Sequence, residues 1–413
     1  MKMVICRDKI RERYVCMEKR AMEKPGIETS LLGFGCMRFP TTADGKIDEA
    51  EAERMLDQAY AAGVNYYDTA YPYHNGESER VVGRVMRKYD RGSFFLATKL
   101  PCWLVKNTDD IERIFKEQLE KLQTDYIDFY LMHALNKDSF QKMVDIGCVE
   151  KLEQLKAEGK IRYLGFSFHD KYEAFERIIN YHDWDFCQIQ LNYMDAGERE
   201  EFQQAGMKGY HLTEEKKIPL IIMEPVRGGS LAAFPEDITE IFHSLNPDAS
   251  IASYALRWVG SLPNVKVILS GMSTMDQLTD NLRTFDKFEP LSEKETETID
   301  KVVAMINSRM QNGCTACRYC MPCPAGVDIP RNFRIWNLYH MYGNYNAVKW
   351  DWEEGLGEDH KAKNCIKCGK CEKACPQKLS IRADLERVQA DLDKKELCAQ
   401  TRASSLAGGM PVW

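Results

Sequence analysis

The sequence predicts an α/β chain: a (β/α)8 (TIM) barrel followed by a smaller, mainly helical C-terminal domain. Three observations carry this reading. Short apolar runs alternate with helical patterns eight times between residues 31 and 285, which implies parallel strands joined by crossover helices. No G-x-G-x-x-G follows the first run, which speaks against the alternative of an open doubly wound sheet. Beyond a charged helical stretch at 290–308 the composition changes to cysteines, aromatics and Pro-Cys-Pro punctuation. The chain therefore divides into an N-terminal segment at 1–30, the barrel at 31–308, a second domain at 309–400 and a tail at 401–413, with the boundary near 305–312.

The elements follow in order. Residues 1–30 read as polar and irregular, and Met17 offers an alternative start. Leu31–Met37 is the first strand-like run, and Asp48–Gly63 the first helix, with Met55, Leu56, Ala59 and Tyr60 on one face. Runs at 64–67, 94–98, 126–132, 161–167, 187–193, 219–225 and 265–271 supply the other strands. Helices are expected at 77–89, 109–122, 149–158, 171–181, 198–216, 248–259 and 276–285.

Composition narrows the classes. The 413 residues are 44% hydrophobic and 29% charged, as in an ordinary globular protein. A net charge of −7 argues against a nucleic-acid footprint. No run approaches a membrane span, and the first twenty residues lack the apolar core of a signal peptide, so a cytoplasmic location is expected.

Chemistry concentrates where strands end. Asp68 and Tyr73 follow one run, Lys99 ends the next, and His133 the one after. Polar residues at the C-terminal ends of parallel strands are where barrel active sites are built. A tyrosine is a poor acid at neutral pH unless a cation lowers its pKa. Lys99 would do so, with Asp68 keeping Lys99 charged and oriented. His133 would donate a hydrogen bond to a substrate carbonyl while Tyr73 protonates its oxygen as hydride reaches the carbon. Ordinary strand-end polarity explains any one of these residues alone, but poorly explains four together. Cys102 and Trp103, close after Lys99, and Asn192-Tyr193 are further rim positions for which core packing is the bland reading. His169, two residues after Ser167, reads as a solvated loop residue.

The 15 cysteines divide unevenly. Cys6, Cys16, Cys36, Cys102, Cys148, Cys187 and Cys398 are scattered and read as small core residues. The other eight form Cys314-x2-Cys317-x2-Cys320-x2-Cys323-Pro324 and Cys365-x2-Cys368-x2-Cys371-x3-Cys375-Pro376. The second run has the bacterial ferredoxin spacing, and the first differs by one residue in its last gap. Two such runs indicate two [4Fe–4S] clusters, the fourth cysteine of each run ligating the other cluster. One cluster would use Cys314, Cys317, Cys320 and Cys375, the other Cys365, Cys368, Cys371 and Cys323. Structural zinc is the alternative, but it needs only two C-x2-C pairs and leaves cysteines over. Between the runs, Phe333, Trp336, Tyr339, Tyr342, Tyr345, Trp350 and Trp352 are expected to pack as helix against the clusters or the barrel.

Asp68-Thr69-Ala70-x-x-Tyr73, Ala97-Thr98-Lys99 and Leu131-Met132-His133 resemble the tetrad segments of the aldo-keto reductase superfamily. Leu32–Met37, Ile161–Ser167, Glu224–Gly229 and Gly271-Met272-Ser273 extend the resemblance over residues 17–310. It implies an extended nicotinamide dinucleotide, usually NADPH, at the barrel mouth. Ser167 and Gln190 would hold its carboxamide and Gly228-Gly229 its pyrophosphate; Ser273, Gln277 and Asn281 would meet the adenosine end. Gly35, Cys36, Met37, Met223, Pro225, Arg227, Gly271 and Met272 complete the expected cofactor-binding set. Met223 stands where many members place an aromatic ring, and Ser273 and Thr274 where NADPH-preferring members have Arg or Lys. NADPH, NADH and a flavin (FMN or FAD) therefore all stay open. Thr274-x-x-Gln277 reads equally as a helix cap.

The expected function is an oxidoreductase acting on a small carbonyl or alcohol, of an anaerobic type of metabolism, coupled to two [4Fe–4S] clusters. Nicotinamide moves two electrons at once and each cluster one, so efficient exchange between them needs a flavin, here or on a partner such as a flavoprotein or ferredoxin. The alternative is a redox-sensing or docking subunit that binds nucleotide without turnover.

Overall fold

The computed structural model describes residues 17–196 and 204–394. Cys6, Cys16, Cys398, the tail and the first part of the helix expected at 198–216 lie outside them. Two compact units emerge, one reaching Pro225 and including Ser253–Leu291, the other combining Val226–Ala252 with the chain from Ser292 onward. This division differs from a single boundary near 305–312: the stretch after the seventh barrel strand and the helix Glu293–Ser308 both group with the cysteine-rich part.

In the first unit, strands β1 (Lys19–Met22) and β2 (Ile27–Ser30) form an antiparallel hairpin. Strands β3 (Leu32–Gly35), β4 (Tyr66–Asp68), β5 (Phe95–Leu100), β6 (Ile127–Leu135), β7 (Ile161–Phe168), β8 (Phe186–Gln190), β9 (Leu220–Met223) and β10 (Val265–Ser270) follow. These eight are parallel and close in sequence order, β10 pairing back to β3. Such a barrel has a packed interior, here filled by Tyr66, Ala97, Phe129, Leu131, Phe186, Ile221 and Val267. Phe129 sits at its centre, with ring centroids 4.9 Å from Tyr66, 4.9 Å from Phe186 and 5.0 Å from Tyr163. Each large apolar side chain buried this way contributes roughly 1.5–3 kcal/mol. Gly165 permits β7 and β8 to approach, because a Cβ there would lie 2.6 Å from Phe186 O.

Residues 17–30 are thus not irregular. Met22 is fully buried in the same core cluster, with Ile27 packed against it, and Arg20 Nη1 donates to Leu262 O (3.0 Å) and Val265 O (2.7 Å). The hairpin closes the floor of the barrel at the N-terminal ends of the strands. Only two apolar side chains seal it, too few to register as a strand pattern in sequence. A helix at Lys137–Asp145, capped by Asn136 and Ser139, is a further element without an expectation.

In the second unit the helix Ile329–Tyr342, opened by the Asp328 cap and Pro330, packs against the helix Ile381–Lys394. Phe333, Trp336, Tyr339, Trp352, Leu385 and Val388 form its core, and Trp336 Nε1 donates to Asp391 Oδ2 (2.7 Å). Trp350 departs from the expected packing: it is 65% exposed. The helices Glu236–Leu245 and Glu293–Ser308 belong to this unit, linked by an Arg309–Asp237 ion pair.

Candidate active site and cluster centre

The C-terminal ends of β4, β5 and β6 bring Asp68, Lys99 and His133 together, and Tyr73 begins a short 3-10 turn just past β4. Lys99 is fully buried. Its Nζ donates to Asp68 Oδ1 (2.6 Å), Thr69 O (2.7 Å) and the Tyr73 hydroxyl (3.4 Å). The His133 ring stands edge-on to Tyr73, with centroids 6.0 Å apart, and Trp103 lies 5.2 Å from His133. Behind β5 a buried network holds Lys99 in register: Gln118 Nε2 donates to Lys99 O (3.0 Å) and to Glu79 Oε1 (2.7 Å).

Electrostatics set the protonation states. Burial pulls the Lys99 ammonium down, but Asp68 and Tyr73 together outweigh it and leave the group raised, so it stays charged. Burial pushes the Asp68 carboxyl up against the pull of Lys99. Tyr73 corrects the sequence expectation: burial pushes its phenol above the ordinary value, and the pull of Lys99 only partly offsets this. His133 is held well below the ordinary imidazole range by burial and then by Lys99 and His169. At neutral pH the centre therefore pairs a neutral phenol with a neutral imidazole beside a buried ammonium. Asp68 Oδ2 and His133 Nδ1 are buried with no hydrogen-bond partner among the described residues.

The expected cofactor residues separate into groups. Ser167 and Gln190 end β7 and β8 at the same rim, and the Ser167 hydroxyl accepts from Ala134 N (2.8 Å). Gly35 ends β3, with buried Cys36 and exposed Met37 beyond. Burial pushes the thiols of Cys36 and Cys102 up, the latter to about 12, so neither is a reactive thiolate. Met223 is partly buried at the end of β9, its sulfur accepting from Gln188 Nε2 (3.4 Å); Pro225 is buried. At the same rim, just past β10, Gly271 is exposed and Met272 buried. Here the capping reading is realised: Thr274 caps the helix Met275–Phe285, and Gln277 Oε1 accepts from Ser273 N (2.7 Å). Asn281 Nδ2 donates to Ser270 Oγ (2.8 Å). Arg227, Gly228 and Gly229 fall in the second unit, where Arg227 donates to the Tyr342 hydroxyl. Asn192 is a structural residue, donating to Asp195 Oδ2 and accepting from Met194 N.

Two residues were missed by sequence reasoning. His169 is half-buried: burial lowers its imidazole, nearby Gln190 partly offsets this, and His169 in turn lowers His133. The signal lay in the alternation of β7, since Ser167 and His169 are two residues apart and share a face. Arg38 lays its side-chain stem against Gly271, and its carbonyl accepts from Ser273 Oγ (2.8 Å). That puts the backbone and stem of an exposed arginine against this loop.

In the second unit the cysteines line two cavities. Cys314, Cys317, Cys320 and Cys375 border one. Cys323, Cys365, Cys368 and Cys371 border the other, of about 140 Å³, which Cys320 also touches. The fourth cysteine of each run thus borders the cavity of the other run. Ala316, Arg318 and Lys367, inside the C-x2-C loops, adopt left-handed backbone, which costs non-glycine residues energy and forms amide nests suited to iron–sulfur sites. Burial and the facing thiols push Cys320 up to about 11, so a bound cationic group would favour its thiolate. Among the described residues no three His, Cys, Asp or Glu side chains converge on a point that could hold a single metal ion. Four cysteines around a cavity suit a cluster; zinc needs them around a point.

Comparison with known proteins accounts for both halves. The model of the aldo/keto reductase family matches residues 31–304. The chain belongs to the aldo/keto reductase family. A 4Fe-4S dicluster domain model matches residues 313–379. Among its relatives, the uncharacterized oxidoreductase YqkF of Bacillus subtilis (strain 168) is 26% identical over 317 residues, covering 68% of this chain and 95% of that protein. L-galactose dehydrogenase of Arabidopsis thaliana is 26% identical over 311 residues, covering 70% and 94%. The structure of aldo-keto reductase AKR11C1 from Bacillus halodurans (holo form) is 28% identical with a TM-score of 0.58, covering 69% of this chain and 96% of that one. The protein is therefore an aldo/keto-reductase-type oxidoreductase with a 4Fe-4S dicluster domain. No described helix is long and apolar enough to cross a membrane.

Proposed function

We propose that the barrel reduces a small carbonyl substrate with NADPH or NADH, and that the two clusters carry single electrons to or from a partner. The observation that carries the first half is the Lys99 ammonium bonded to both Asp68 and Tyr73, with His133 edge-on to the phenol. A nicotinamide bound at the rim supplies hydride to the carbonyl carbon. Tyr73 donates its proton to the carbonyl oxygen, and Lys99 stabilises the phenolate that remains. His133, neutral, donates a hydrogen bond to the same oxygen. Asp68 keeps Lys99 charged. Ser167, whose oxygen already accepts from Ala134 N, retains its hydroxyl proton for the carboxamide.

The test is anaerobic purification, extraction of released cofactor, and titration of protein fluorescence with NADPH and NADH. Quenching by a nicotinamide together with carbonyl reduction supports the proposal. A released flavin in stoichiometric amount transfers the groove to flavin chemistry, and nucleotide binding without turnover favours the sensing subunit. Arg38 provides an internal check on preference. Arg38→Ala should weaken NADPH about tenfold, as loss of a charge-assisted contact to the 2′-phosphate, and leave NADH unchanged.

His169 acts through Gln190 in this reading. His169→Ala should raise the KM for the nicotinamide by roughly 2- to 12-fold, the equivalent of one net hydrogen bond of about 0.5–1.5 kcal/mol, with kcat little changed. Steady-state kinetics with varied cofactor read this directly, and His169→Gln should restore much of it. An unchanged KM in His169→Ala removes His169 from the cofactor side of the site.

A further inference from the structure

The charge of this protein is not evenly spread. The chain carries a net −7, yet between Lys361 and Arg382 stand six lysines and one arginine against a single acid, Glu372. This stretch contains the whole second cysteine run. Lys361 and Lys363 both pair with Glu358, and Lys367 and Arg382, exposed, pair with Glu386 and Glu372 respectively. Lys370, Lys373 and Lys378 are exposed and have no ion pair among the described residues. An oxidised cluster with four thiolates carries about two negative charges, which leaves this face cationic.

The same face is apolar where it meets the cluster cavity. Tyr319 and Ile366 both line the cavity of Cys323, Cys365, Cys368 and Cys371, and they are 71% and 66% exposed, the two most exposed large apolar side chains among the described residues. Cys368 is itself exposed. A cavity wall of this kind, with Lys367 and Lys370 in it, puts the edge of a cluster at a basic surface. Interfaces for brief electron exchange are small, with an apolar centre and a charged rim that steers encounter.

We infer that the Tyr319/Ile366 face, with Lys370 in its wall and Lys373 one turn on, docks a small acidic one-electron carrier protein that exchanges electrons with the cluster held by Cys323, Cys365, Cys368 and Cys371. In each encounter the reduced carrier gives up one electron and the oxidised cluster takes it, with no proton transferred and no bond made. The inference rests on the cluster reading, which iron and sulfide content tests separately.

The experiment uses the full-length holoprotein under anaerobic conditions and a reduced plant-type [2Fe–2S] ferredoxin, a strongly acidic carrier, as the probe. Stopped-flow bleaching of the cluster absorbance gives the second-order rate constant against ionic strength. The rate constant should fall at least tenfold between low salt and about 0.3 M salt. The double variant Lys370→Glu/Lys373→Glu should lose at least tenfold at low salt, while Lys116→Glu, on the barrel helix Thr108–Leu122, changes nothing. Iron content and the spectrum after dithionite reduction should match the unaltered protein. A rate constant equal in the double variant, or one flat in salt, overturns the inference. Should the double variant lose iron, the salt dependence of the unaltered protein decides alone. Retention of single-stranded DNA at physiological salt, together with a salt-independent ferredoxin rate, assigns the face to nucleic acid and likewise overturns it.

Discussion

Replacing Tyr73 by Phe should lower the kcat of carbonyl reduction by about 10²- to 10⁴-fold, the range expected when a positioned general acid is lost. Cofactor quenching and iron content should stay unchanged, because the phenol is held by a single 3.4 Å contact from Lys99 and no strand depends on it. Lys99→Met is the harsher change. It strands Asp68 as a buried carboxyl without its cation, which costs about 3–5 kcal/mol and threatens the barrel itself. Tyr73→Phe is therefore the cleaner test of chemistry. A variant that turns over within a few-fold of the parent removes Tyr73 as the acid.

The same arrangement sets the pH dependence. Tyr73 is raised above the ordinary phenol value, so the proton-donating form persists through neutrality and activity falls only on the far alkaline side. His133 is lowered well below 6.5, so kcat/KM should show no step at the ordinary imidazole value. Stability follows the same sign. As pH falls through 6.5 the unfolded chain takes up a proton that the folded His133 refuses, so the barrel is least stable in acid.

The second large effect concerns the crossing of the cysteine runs. Cys375→Ala should destroy the cluster of Cys314, Cys317 and Cys320, not the one held by its own run, because Cys375 lines the cavity of the first run. Cys323→Ala should do the converse. In each case iron should drop from about eight to about four per chain. Cys375 is buried and its cavity is shared with Phe333 and Ile381, so the change should also loosen the packing of the helices Ile329–Tyr342 and Ile381–Lys394. Which cluster survives is decided by the ligand environment that spectroscopy of the single variants reports. Survival of the first-run cluster in Cys375→Ala contradicts the crossed ligation.

Much of this molecule is local and so legible in the chain. Strand and helix periods are short-range, and the candidate residues sit where each parallel strand stops, so Asp68, Lys99 and His133 stand out one strand at a time. The spacing of the cysteine runs points to a 4Fe-4S dicluster domain, and the cavities that the fourth cysteines border are those of the opposite runs. What depends on neighbours far along the chain was not readable. Residues 17–30 look irregular because their strands exist only against a barrel floor made of Tyr66, Phe129 and Val267. His169 looks like a loop residue until β8 brings Gln190 beside it, and Arg38 is anonymous until β10 delivers Gly271 under its stem. Residues 226–252 follow a barrel strand in sequence, yet their contacts put them with the cysteine-rich unit. Tyr73 is the sharpest case. The sequence by itself determined that a lysine would stand next to a tyrosine, but the depth at which both are buried decides the sign of the phenol's shift. Burial is a property of the whole closed barrel, and here desolvation outweighs the charge of Lys99.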